Sequence, residues 1–175
     1  FESWIPRFWK TAREEGKVVK AHAGEFGPAS NISQAVNELG VNRIQHGTRA
    51  IEDEDVMGLL VEKDITLDMC PISNYKLKVV DHLSQHPIKE FMQRGIKCTV
   101  STDDPFSFNN SLVDEFNTLR EEMSFTYLEI AELISNGFKV ANLDAIKKQN
   151  FIDQIDREII DVEKKSNSGK QNIKH

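Results

Sequence analysis

A chain of 175 residues with 39% hydrophobic and 29% charged side chains suits one globular domain able to bury a sizeable core. Its formal net charge of -6 argues against a nucleic-acid groove as the main surface, because phosphate binding draws on clustered Lys and Arg. No apolar run approaches the roughly 20 residues that a membrane-spanning helix needs, and the opening does not read as a secretory signal. Cys70 and Cys98 lack C-x-x-C spacing, which points to packed, reduced thiols in a cytoplasmic protein rather than to a disulfide.

The chain opens on Phe1 without an initiating Met. Residues 1–16 read as a helix entered partway, as in a fragment, with Trp4, Phe8 and Trp9 on one face and Gly16 as the stop. Val18 to Ala21 is the first strand. The Gly24 to Pro28 loop follows, then a helix from Ser30 that closes on Gly40. Val41 to Gln45 is the second strand, and Ile51 to Lys63 has helical spacing with Val56, Leu59 and Leu60 inward. Ile65 to Cys70 is the third strand and Pro71 to Asn74 a loop. His82 takes no role, and His86-Pro87 is the entry to a helix ending near Gly95. The fourth strand, Ile96 to Thr102, stops on Asp103-Asp104-Pro105, where the proline forbids continuation. Three helices follow, over Leu112 to Met123, Thr126 to Ala141 and Asp144 to Ile160, with Thr126 and Glu129 forming a capping box. Residues 1–161 are expected as one folded part and 162–175 as a polar flexible tail. Strands alternating with helices at this spacing define an α/β chain with a parallel sheet.

Three of these strands end on chemistry. The first leads into His22-Ala23-Gly24-Glu25, the second into His46-Gly47 and the fourth into two adjacent carboxylates. In a β/α barrel such ends converge on one face. Successive strand side chains point opposite ways, so Asp103 and Asp104 should diverge and serve different partners. Each residue also has a plain structural role when taken singly, Glu25 as a carboxylate favoured near a helix start among them.

Four segments in order carry a resemblance. His22-Ala23-Gly24-Glu25, Arg43-Ile44-Gln45-His46-Gly47, Cys70-Pro71-Ile72-Ser73-Asn74 and Ser101-Thr102-Asp103-Asp104-Pro105 resemble the successive motifs of the adenosine/adenine/AMP deaminase family, across roughly Val18 to Phe138. The resemblance implies a zinc-dependent TIM-type (β/α)₈ barrel, of which this chain would supply the fifth to eighth strands and the closing helices. It also implies hydrolytic removal of a purine 6-amino group. That reaction needs an activated water, an acid for ring nitrogen N1 and a base for the water proton. By resemblance His22 and Asp103 are zinc ligands, Glu25 protonates N1, and His46 assists deprotonation and orients the hydroxide. Asp104 would bond the base near N7, and Gly24 would let the backbone approach the substrate. Ser73 and Asn74 would support the site or line the substrate loop. Phe106 and Phe108 are candidates for a base pocket or for burial under the next helix.

Two departures stand out. The His-x-His pair that the family carries on its first strand is absent, which leaves two zinc ligands where zinc catalysis needs a fuller set. Two further histidines and the other strands are expected from an N-terminal half, since four strands cannot close an eight-stranded barrel, and the chain alone is expected to be inactive. Gln45 stands where the family often has Gly. Adenosine is the first-choice substrate, on Gly27-Pro28-Ala29-Ser30 and Arg49-Ala50-Ile51-Glu52-Asp53; adenine, favoured by Pro71 to Leu77, and aminodeoxyfutalosine are the alternatives. AMP is less favoured without a phosphate clamp. A cytidine-type zinc deaminase would need His-x-Glu and Pro-Cys-x-x-Cys, neither of which occurs. The non-enzyme alternative is an inactive remnant acting as a binding module.

Overall fold

The computed structural model describes residues 2–171, with side chains to residue 160 and at 162. By its internal contacts the chain divides into two units, Phe1–Ser124 and Phe125–His175. The first holds all four strands. β1 (Lys20–Ala23), β2 (Arg43–His46), β3 (Thr66–Met69) and β4 (Lys97–Val100) lie side by side in chain order, every pair parallel. β-branched and apolar runs favour these strands, and the crossover helices between them impose the parallel direction. This is the expected α/β architecture, and it forms part of a barrel.

Register sorts the side chains into two faces. Ala21, Ile44, Leu67 and Cys98 form one row; Ile44, Leu67 and Cys98 are fully buried, as are the helix residues Ile32, Leu60 and Phe91. The adjacent row is His22, Gln45, Asp68 and Thr99, which is polar. β1 begins and ends two residues later than the sequence suggests, so His22 sits inside the strand instead of following it. Pairing of Lys20 with Arg43 and of Ala23 with His46 fixes that position.

The helices of this unit are α1 (Ile5–Glu14), α2 (Ser30–Gln34), α3 (Glu54–Glu62), α4 (Pro71–Lys76), α5 (Ile88–Gln93), α6 (Pro105–Phe108) and α7 (Leu112–Glu121). α2 continues as a π-helical turn, Ala35–Leu39, and ends on Gly40 at φ 62°, the left-handed stop that glycine permits. The helix expected from Ile51 begins later. A 3-10 turn covers Thr48–Glu52, and extended Asp53 then caps α3 by accepting from the Asp55 and Val56 amides. Trp4 and Phe8 stay exposed and meet edge to face. Phe106 is almost wholly exposed.

The segment Pro71 to Asn74, read from sequence as a loop, is helical: it opens α4. Its composition of Pro, Ser and Asn suits a turn, but Glu115 of α7 accepts a bond from the Ile72 amide at 3.2 Å, satisfying a first-turn donor from 43 residues away. Cys70 and Cys98 are both buried and form no disulfide, as expected.

The second unit contains α8 (Tyr127–Val140) and α9 (Ala145–Gln171). Thr126 and Glu129 form the expected capping box, and Phe138 stacks on Phe151 with ring centroids 4.4 Å apart. α9 continues past Ile160 to Gln171; His175 lies outside the described residues. Among the described residues no helix is long and apolar enough to cross a membrane.

Candidate active site

The strand ends are built from unusual backbone. Gly24, His46, Gly47 and Asp103 have φ of 66°, 64°, 69° and 61°. Such values are costly for non-glycine residues and cluster where side chains must be aimed. An unbroken pleat would put His46 on the same face as Ile44; the positive φ breaks that alternation. At Gly24 a Cβ would collide with the Ile32 side chain, so glycine is required twice, by conformation and by space. The Arg49 amide donates to Gly24 O at 2.8 Å and the Gly47 amide to Ala23 O at 3.0 Å, which clips the first two strand ends together.

His22, Glu25, His46 and Asp103 meet at this rim. The His22 and His46 rings lie 5.3 Å apart between centroids. His46 Nε2 is 3.4 Å from Glu25 Oε2 and 4.0 Å from Asp103 Oδ2. One possible ligand atom from each of His22, His46 and Asp103 falls within 4.8 Å of the others. Ser73 and Asn74, both fully buried, reach the same place from α4. Ser73 Oγ donates to Asp103 Oδ2 at 2.7 Å, and Asn74 Nδ2 lies 3.2 Å from His46 Nδ1. The two aspartates do diverge. Asp104 turns away to cap α6, its Oδ1 accepting from the Phe106 and Ser107 amides and its Oδ2 from Ser107 Oγ. These bonds to the ionised form hold its carboxyl below the usual range.

Burial sets the protonation. It raises the Glu25 carboxyl, and the negative charge of Asp103 raises it further. Glu25 Oε1 is buried with no hydrogen-bond partner among the described residues, an expensive arrangement unless a proton or a ligand occupies it. Burial lowers His46 to about 4, outweighing the attraction of Asp103, so the imidazole is neutral at pH 7. His22 and Asp103 bring an imidazole and a carboxylate, donor types that zinc takes, to one rim, and the rim therefore fits the metal that the resemblance implies.

Sequence reasoning missed three supports. His86, given only a helix entry, is buried and its Nε2 lies 3.1 Å from Asn74 Oδ1. Glu115, on an amphipathic helix, is fully buried and accepts from Asn110 Nδ2 at 2.8 Å as well as from Ile72. Gln45 accepts from Lys20 Nζ at 2.7 Å and donates towards Cys70 Sγ at 3.1 Å and Ser101 Oγ at 3.4 Å, so it ties β1 to the residues just past β3 and β4. The one available signal was position: His86 stands next to Pro87, just before a buried helix.

Parallel strands whose ends gather two histidines, a glutamate and an aspartate define the class: part of a β/α barrel with possible metal-ligand atoms at its rim. A family model described as adenosine deaminase matches residues 1–158, and the chain belongs to that family. It is 38% identical over 155 residues to an adenine deaminase of Acinetobacter baylyi, covering 89% of this chain and 47% of the relative. An adenine deaminase of Pseudomonas putida is 44% identical over 131 residues, 75% of this chain and 42% of its own length. The crystal structure of adenine deaminase from Arthrobacter aurescens superposes with a TM-score of 0.84 at 36% identity, covering 88% of this chain and 47% of that one. An amidohydrolase from Burkhoderia ambifaria with bound Zn gives 0.80 at 25% identity, covering 90% and 44%. The chain thus spans less than half the length of the relatives it matches.

Proposed function

We propose that this chain supplies part of the active site of a zinc-dependent aminohydrolase that removes the 6-amino group of a purine, with adenine as the first substrate. One observation carries the reading: the buried Glu25 carboxyl, one oxygen without a partner and the other 3.4 Å from His46, beside Asp103. A carboxyl whose hold on a proton is strengthened by burial and by Asp103 can give a proton to a ring nitrogen and recover one from water, which is the acid–base work that deamination needs. His22 and Asp103 would hold the zinc, with further ligands supplied from outside this chain. When bound, zinc lowers the pKa of a water to about 7. Ser73 fixes Asp103 through its 2.7 Å bond, and Gly24 keeps the rim open to substrate. Asp104 contributes to base binding only by giving up bonds it now makes to α6.

Adenine precedes adenosine because the relatives at 36 to 44% identity described above carry that name. Adenosine stands as the second reading, supported by the description of the family model and by the segments around Gly27 and Arg49. The test is ammonia release from adenine, adenosine, AMP and aminodeoxyfutalosine by the full-length, zinc-loaded protein. Adenine should turn over fastest. Turnover of none of the four sinks the reading, and turnover by the 175-residue chain alone would overturn the requirement for outside ligands.

A further inference from the structure

His46, Asn74 and His86 stand in one line of hydrogen bonds, and the line starts from a group whose role is not negotiable. The Ile88 backbone amide can only donate, and it lies 3.4 Å from His86 Nδ1. That nitrogen is therefore bare, and the ring carries its single proton on Nε2. His86 Nε2 is 3.1 Å from Asn74 Oδ1, which can only accept. Thr48 Oγ1 donates to the same oxygen at 3.4 Å, a contact compatible with that orientation of the Asn74 amide, which His86 sets. Its Nδ2, a pure donor, is then left facing His46 Nδ1 at 3.2 Å. His46 Nδ1 must be bare in turn. The proton of His46 sits on Nε2, the nitrogen that looks toward Glu25 Oε2 and Asp103 Oδ2.

We propose that His86 and Asn74 are positioning residues that lock His46 in its Nε2–H tautomer, so that the ring presents a donor to the rim. Thr48, Asn74, His86 and His46 are all buried, none more than 4% exposed, so water does not compete for these bonds. The Ile88 amide is what excludes the other orientation of Asn74. A flipped Asn74 would set its NH2 against His86 Nε2, which would then have to accept and leave the ring proton on Nδ1, against the Ile88 amide.

Two consequences follow. An imidazole nitrogen that carries a proton has no lone pair in the ring plane, so His46 does not bind a cation through Nε2 although its position beside His22 and Asp103 is suitable. Nor does it accept a proton from water there. Within the deamination reading, on which this second consequence rests, Glu25 is the group that takes the water proton, and His46 orients the attacking oxygen by donating to it. That keeps the orienting half of the role expected of His46 from the resemblance and removes its part in deprotonation.

The test is long-range 1H–15N correlation spectroscopy of 15N-labelled, metal-free protein carrying the full chain, with His46 signals assigned by their loss in His46→Gln. His46 and His86 should both show a protonated Nε2 and a bare Nδ1. Asn74→Asp replaces the donor by an acceptor and should move the His46 proton to Nδ1 while leaving the His22 pattern as it was. A wild-type His46 protonated at Nδ1, or averaged between tautomers, overturns the lock, as does an Asn74→Asp spectrum with Nε2–H retained. Should Asn74→Asp fail to fold, the wild-type spectrum decides, and Asn74→Ala is the second variant, expected to leave His46 averaged. The spectra need no substrate, so failure of the purine assignment leaves them untouched. In the complete enzyme Asn74→Asp should lower kcat with KM held.

Discussion

Asp68 lies within β3 and Asp103 beyond the end of β4, and the surroundings of these two carboxylates are opposite. Asp68, 2% exposed, is enclosed by cations and donors: Arg43 Nη2 and Thr99 Oγ1 each lie 2.7 Å from its Oδ1, and Lys20 Nζ is 3.6 Å from Oδ2. Asp103 meets a serine hydroxyl, a neutral imidazole and, close by, the Glu25 carboxyl whose ionisation it opposes. The lower layer neutralises itself with residues of β1, β2 and β4. The rim gathers negative charge without neutralising it, on backbone held at positive φ. The rim's charge is what a bound cation would offset.

The sharpest way to break this contrast is at Glu25. Glu25→Gln keeps the shape and removes the transferable proton, so activity of the full-length enzyme should fall by about 10²- to 10⁴-fold while the melting temperature holds or rises. Activity within a few-fold of wild type would remove Glu25 from the acid–base role.

A second pair of substitutions compares the layers directly. Asp68→Ala strands Arg43 and Lys20 near a buried site and should cost about 3 to 5 kcal/mol in urea unfolding, as breaking a buried ion pair does. Asp103→Asn should leave stability unchanged or raise it, because the repulsion with Glu25 goes, but bound zinc measured by mass spectrometry should drop. Equal destabilisation by both would mean that the two layers are not specialised.

Glu115 sharpens the comparison through pH. Burial, stronger than the bonds from Ile72 and Asn110, raises its carboxyl from 4.5 to about 7. A raised acid binds its proton more tightly in the folded state, so its contribution to stability is complete below pH 4.5 and is lost as pH rises through 7. The linked change is on the order of 3 kcal/mol. Urea midpoints of wild type should therefore decline across that window, and Glu115→Gln should flatten the decline. A profile unaltered by the substitution would show that Glu115 titrates normally.

How much of this was legible in the sequence depends on how local the cause was. The strands, the stop at Gly40 and the Thr126 cap are written in runs of a few residues, and each is present. The gathering of His22, Glu25, His46 and Asp103 was legible because parallel strands share one end, whatever the tertiary detail. α4 was not, since its first turn is satisfied by Glu115 from a distant helix. His86 was opaque for the same reason: its partners, Asn74 and the Ile88 amide, are set by packing. A sequence also does not say which of two adjacent carboxylates turns to its own helix.

That last ambiguity gives the smallest expected effect and separates two roles in one residue. Asp104 accepts three bonds within the opening turn of α6, and it lies next to Asp103 at the rim. Asp104→Ser keeps a side-chain oxygen able to cap the helix while removing the carboxylate; Asp104→Ala removes both. If Asp104 only caps, the serine variant should match wild type in stability and kinetics and the alanine variant should lose a little stability alone. If it also grips the purine, both variants should raise KM for adenine to a similar extent, with kcat nearly held, because substrate and transition state would lose the same contact. The structure favours the capping arm, since all of the carboxylate's described bonds are already taken by α6, and an equal rise in KM for serine and alanine is the result that would reassign it to the substrate.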